Sequence, residues 1–156
     1  MSEAFARSDV SRQLLKLALI SGAVVAAFVA PWEPRWFLPN FGVFWGPHLG
    51  LLLVLWLLRS SWGLMGGAAV VTALYLALFA IWVFSASHPE SMAWIGYLFS
   101  FPGALLGAIA ARYLEERTLA LTLARSFAIG FFVVGIGIAA NQLLVCSTML
   151  YCGFGW

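Results

Sequence analysis

Long apolar runs separated by short polar clusters organise this chain. A membrane-crossing helix needs about 20 predominantly apolar residues, and five stretches approach or reach that length, at about 14–31, 41–58, 64–85, 92–111 and 126–150. Lys16 sits near the start of the first, where its long stem lets the ammonium reach back to the interface. Arg59 stops the second, and the third carries no charge before Ser87-His88-Pro89-Glu90 ends it. The fourth is interrupted by Pro102 and closes at Arg112. The fifth, at 1.5 Å per residue, is about 37 Å long and spans a bilayer with some tilt. Between the first two, Pro31, Pro34 and Pro39 predict an extended or turning segment rather than a helix. Between the last two, Arg112 and Glu116 stand one turn apart, so the fourth helix is expected to continue past the membrane. The pattern predicts an all-α integral membrane protein, a five-helix transmembrane bundle forming a single membrane domain over residues 1–156.

Composition narrows the function classes. Hydrophobic residues make up 63% of the chain and charged residues 9%, against about 25% charged in a soluble domain. A chain so poor in charge cannot cover a globular surface, which excludes a soluble enzyme and a disordered polypeptide. The net charge of +2, with no basic patch interleaved with aromatics, argues against nucleic acid as a partner. The first apolar run ends in Pro31 and bulky Trp32 instead of a small-residue cleavage site, so it reads as a retained helix rather than a leader. Placement of the cations orients the bundle. Arg7, Arg12, Lys16, Arg59, Arg112, Arg117 and Arg125 fall on the side of the N-terminus, and only Arg35 on the other. The positive-inside rule then puts the N-terminus in the cytoplasm and the C-terminus outside. Trp32, Trp36, Trp45, Trp82, Trp94 and Trp156 mark the outer boundary, with Trp56 and Trp62 near the inner one. Compact size and charge asymmetry point to the inner membrane of a bacterial cell.

Ionisable groups held at membrane depth are costly and mark ion paths or catalysis. Apart from Lys16 at the cytoplasmic end of the first stretch, no charged residue falls within a span, which argues against ion-coupled transport and carboxylate catalysis. His48 is the titratable residue inside a span, a candidate ligand or pH-responsive group whose plainer reading is a neutral, hydrogen-bonded histidine. Pro102 is expected to kink its helix and free a carbonyl near mid-membrane, and with His48, Asn141 and Gln142 it makes up the candidate ligand-binding set. Asn141 and Gln142, joined by Thr72 and Tyr75, read first as interhelical hydrogen-bond glue. Cys146 and Cys152 are a disulfide candidate in an oxidising compartment, although residues six apart do not share a helix face. His48, His88, Met92, Cys146, Met149 and Cys152 all map to the outer side. That donor set suits copper or haem iron as the alternative to an expectation of no cofactor, with a spacing that matches no metal motif. Small residues at four-residue spacing predict close helix packing at Gly46 and Gly50, Gly63 and Gly67, Gly103 and Gly107, and Gly135 with Ala139.

The stretch from Phe44 to about Glu116 carries a resemblance. Phe44-Trp45-Gly46-Pro47-His48-Leu49-Gly50, a Leu-rich helix ending in Arg59, Trp62 near the next helix start, and Ala110-Ala111-Arg112-Tyr113-Leu114 together resemble the membrane-associated sensor domains called MASE1. The chain departs from that pattern: Gly46 separates Trp45 from Pro47, Gly63 follows Trp62 where the family has proline, and the family has more helices and a fused signalling domain. The resemblance implies a non-catalytic membrane module that senses or docks, and assigns no binding residue. Three readings follow. The first is a non-enzymatic module, either a small sensor or an accessory or assembly subunit of a larger inner-membrane complex, whose partners are the lipid bilayer and other membrane proteins or further copies of itself. The second is a solute-binding transporter component, and the third an outward-facing metal or redox protein.

Overall fold

The computed structural model describes residues 2–85, 93–118 and 122–148, with the side chains of residues 2–12, 14 and 93 left aside. These residues form six helical segments: α1 (Ser2–Val29), α2 (Pro34–Leu57), α3 (Trp62–Ser85), α4 (Ala93–Phe99), α5 (Phe101–Arg117) and α6 (Leu123–Thr148). No strand occurs among the described residues. Helices α4 and α5 make one interrupted rod, and four rods are long and apolar enough to cross a membrane: Pro34–Leu57, Trp62–Ser85, Trp94–Arg117 and Leu123–Thr148. The apolar part of α1, Leu15–Val29, is shorter. It still runs the height of the bundle. Leu15 and Ala18 pack in a cluster with Leu55, Leu64 and Ala68 at the start of α3, and Ala26 and Val29 in a second cluster with Phe79 and Val83 at its end. Successive rods therefore alternate in direction, α1 running parallel to α3 and α6.

The segment expected to be extended, 31–40, is helical from Pro34. Pro34 lies in the first turn of α2, where its missing N–H is no loss and its fixed φ suits the helix. Pro39 and Pro47 lie inside the same helix, each removing one backbone bond. The extension of the fourth helix is as expected, α5 continuing to Arg117 with Arg112 and Glu116 paired at 2.9 Å.

Helix α6 closes on α3 and α5, and it does so through glycine. A Cβ at Gly67 would lie 2.1 Å from the carbonyl oxygen of Phe127, and one at Gly130 would lie 2.2 Å from that of Leu64, so α3 and α6 touch backbone to backbone. On the other side, a Cβ at Gly103 or at Gly137 would lie 2.3 Å from the carbonyl oxygen of the other, which brings α5 into the same contact. Gly63 and Gly107 lie on these seams. Lipid is as apolar as leucine, so dispersion and backbone proximity hold such helices together, and any side chain at the seam separates them. Gly46 departs from the expected packing: it faces open space, and Gly50 meets only the Phe101 ring at 3.9 Å. The buried stripe of α2 is Phe44, His48, Leu51, Leu52 and Leu55, which turns Gly46 outward. Gly135 meets a methyl of Val71 at 3.1 Å rather than backbone.

The α2–α3 turn is a Schellman closure. Ser60 N donates to Leu55 O and Arg59 N to Trp56 O, with Arg59 at φ 56° in the left-handed position where glycine is usual. Three outcomes follow. Gly130→Ala should lower the stability of the detergent-solubilised protein by about 1–3 kcal/mol, while Gly46→Ala leaves it unchanged or slightly raised. Arg59→Gly should raise stability by up to about 1 kcal/mol by relieving left-handed strain. Thermal unfolding followed by circular dichroism reads all three.

Candidate functional site

The polar side chains of the bundle gather where the helices are interrupted. Ser100, itself in helical φ/ψ, joins α4 to α5 and Pro102 sits in the first turn of α5, so the interruption of the rod falls where Pro102 was expected to disturb it. Carbonyls left unpaired in a bilayer cost free energy unless a neighbour supplies a donor. Asn141 of α6 does so, its Nδ2 donating to Phe99 O at 2.5 Å. The Ser100 hydroxyl donates to Tyr97 O at 2.6 Å. Tyr97 in turn donates to Phe44 O of α2 at 3.1 Å and stacks on Tyr75 of α3 with ring centroids 5.7 Å apart. The Tyr75 hydroxyl donates to Gln142 Oε1 at 2.9 Å, and Gln142 Nε2 donates to Cys146 Sγ at 3.5 Å. Three of the expected residues, Pro102, Asn141 and Gln142, thus belong to one region joining α3, α4, α5 and α6. Thr72 uses its hydroxyl on Ala68 O and Ala69 O of its own helix, not on the cluster.

His48 stands apart from that exchange. It is 2% exposed, on the seam of α1, α2 and α3, and Gly22 of α1 makes room for it: a Cβ there would lie 3.2 Å from His48 Cδ2. Its ring faces the carbonyls of Phe44 and Thr72, yet neither ring nitrogen is in hydrogen-bonding geometry, and the indole N–H of Trp45, one turn away, has no partner either. The protein groups nearest the ring nitrogens are thus backbone carbonyls of α2 and α3. An imidazole faced only by acceptors can satisfy one nitrogen at most as the neutral ring.

Of the candidate metal donors, the described residues include His48 on α2 and Cys146 on α6. His88, Met92, Met149 and Cys152 lie outside the described residues. Among the described residues no group of three or more His, Cys, Asp or Glu is placed to hold a metal ion. Cys146 is not a free thiol, and α6 ends two residues beyond it at Thr148. The disulfide candidate has its second member, Cys152, outside the described residues.

One carboxylate escaped the sequence reading. Glu115, 5% exposed, accepts from Ser61 N at 3.2 Å and from the Ser61 hydroxyl. Ser61 itself caps α3, accepting from Leu64 N at 3.2 Å. Arg112 holds Glu115 at 3.2 Å and donates through Nε to Leu58 O at 2.9 Å. The carboxylate thus sits at the positive end of the α3 dipole with an arginine beside it, an arrangement that compensates its burial. The signal was present as the Arg112-x-x-Glu115-Glu116 spacing, but that spacing reads equally well as a solvated helix end. Only the return of the α2–α3 turn against α5 buries one of the two acids.

Comparison with protein-family models, curated proteins and solved structures returns no match.

Asn141→Leu, which leaves the Phe99 carbonyl without its donor, should cost about 1–2 kcal/mol. Tyr75→Phe, which removes the hydroxyl that donates to Gln142, should cost about 0.6 kcal/mol. Urea or detergent unfolding titrations of the two variants order the two bonds.

Proposed function

We propose that this chain is a non-enzymatic, multi-pass module of the bacterial inner membrane, an accessory subunit or small sensor within a larger membrane complex. In this reading five helices cross the bilayer, with the N-terminus in the cytoplasm and the C-terminus outside. The observation that carries it is the character of the interior. Among the described residues, the buried ionisable side chains are Glu115, tied to a helix end, His48, and Tyr97, whose hydroxyl donates to Phe44 O. Tyr75, Tyr97 and Asn141 use their polar groups to join one helix to another. Proton-coupled transport and acid–base chemistry both need ionisable groups in communicating positions at depth.

Docking is supported by what α2 leaves outside. Gly42 and Gly46 have nothing within 4 Å, whereas Gly63, Gly67, Gly103, Gly107, Gly130 and Gly137 meet backbone. Trp36, Leu38, Val43, Leu49 and Leu53 are exposed on the same helix. The likeness of residues 44–116 to MASE1 domains also implies a sensing or docking module.

Extraction in mild detergent through an N-terminal tag should recover the chain with another membrane protein in fixed ratio. Recovery of a monodisperse lone monomer that binds a small solute would move the assignment to a transporter component. An alkaline phosphatase fused after Trp156, active only outside the cytoplasm, should be active. His48→Ala separates sensing from scaffolding: loss of cellular function at normal expression speaks against a purely structural subunit.

A further inference from the structure

Positive charge gathers at one end of the bundle. Leu15 packs in one cluster with Leu55 and Leu64, Arg112 donates to Leu58 O, and a Cβ at Gly63 would lie 2.9 Å from Leu123 O. These contacts bring Lys16, Arg59, Arg112, Arg117 and Arg125 to the end of the molecule that holds the α2–α3 turn. Glu115 and Glu116, the acids of α5, both pair with Arg112. Among the described residues, Lys16, Arg59, Arg117 and Arg125 are exposed and in no ion pair. The opposite end of α2 holds Glu33 and Arg35, one charge of each sign.

Arg59 is placed where the turn itself needs no side chain. It sits at φ 56°, the position glycine usually takes at a helix end, and its backbone N–H closes the turn on Trp56 O. The guanidinium is left free. Trp56 and Trp62 stand exposed three residues to either side, and at the same end the Arg117 guanidinium lies 4.3 Å over the ring of Tyr113. Tryptophan and tyrosine settle at the headgroup level of a bilayer, which sets Arg59 at the depth of lipid phosphate. Below it, Leu53 and Leu57 offer exposed apolar surface to acyl chains.

We propose that this end binds the head group of an anionic glycerophospholipid, with Arg59 as the principal phosphate contact and Lys16, Arg117 and Arg125 adding to the attraction. Guanidinium presents a planar fork of donors that matches phosphate oxygens. A soluble anion could use the same fork but would leave Leu53 and Leu57 uncovered, whereas a lipid covers both. The inference rests on the membrane placement proposed above, not on the accessory or sensor role.

The test uses the full chain in neutral detergent, titrated with phosphatidylglycerol or with phosphatidylcholine of the same acyl chains, and counts bound lipids by mass spectrometry of the intact complexes. Phosphatidylglycerol should bind several-fold more tightly, and its advantage should shrink as salt is raised. Arg59→Gly, which relieves the left-handed position and so does not put the fold at risk, should weaken phosphatidylglycerol about fivefold and leave phosphatidylcholine unchanged. Arg35→Gln, at the opposite end, should change neither. Equal binding of the two lipids, or a preference for phosphatidylglycerol that survives Arg59→Gly, would overturn the proposal; competition by glycerol phosphate at equal concentration would also do so, making the site one for a soluble phosphate. Alkaline carbonate extraction of membranes from expressing cells separates the two readings: release of the chain sinks the membrane placement, and retention without lipid preference sinks the lipid site alone.

Discussion

The approach of α6 to α3 and α5 at backbone distance is the contact on which the other features depend. Without a hydrophobic difference between lipid and helix, each seam rests on dispersion, which fades within an ångström of added separation. Gly67 and Gly130 on one side and Gly103 and Gly137 on the other allow that separation to vanish. The same proximity brings the long polar side chains of α6 to bear. Asn141 reaches the Phe99 carbonyl only because Gly103 lets its Cβ come so near.

Polar groups in this bundle answer backbone interruptions. One rod is interrupted just before Pro102, and Asn141 supplies a donor at the break. The α2–α3 turn exposes a helix end, and Glu115, Ser61 and Arg112 close it. Asn141, Glu115 and Arg112 each reach an interruption from a different helix, so their bonds set the mutual depth of the rods as well as their stability. His48 is an exception, since the carbonyl oxygens facing it belong to Phe44 of its own helix and Thr72 of α3 and neither ring nitrogen is in hydrogen-bonding geometry. A cleft beside Gly135, between α3 and α6, shows the converse use of small residues. Where no backbone fills the space beside a glycine, the space persists.

Much of the architecture was legible along the chain, because the spacing of apolar runs and their bounding charges directly reflects the thickness of a bilayer. Helix positions followed, as did the continuation past Arg112 and the pairing of Tyr75 with Gln142 across helices. The helical start at Pro34 did not follow. Proline opposes a helix interior but suits its first turn, and counting prolines does not say which of them comes first. The small-residue stripes were legible as stripes only. Four-residue spacing at Gly46 and Gly50 resembles that at Gly63 and Gly67, yet one faces outward and the other meets Phe127.

By itself, then, the sequence determined that the chain is helical, with several helices long and apolar enough to cross a membrane and little charge within them, since these are sums over local composition. Tertiary structure alone decided which glycines pack, with Gly130 and Gly137 unforeseen; it also decided that Glu115 is buried, that the His48 ring faces carbonyls of α2 and α3 and that Gly135 borders a cleft. The reason is rotational. A helix in lipid has no polar face to announce which side turns inward, so the facing of each residue is set by the neighbours it meets.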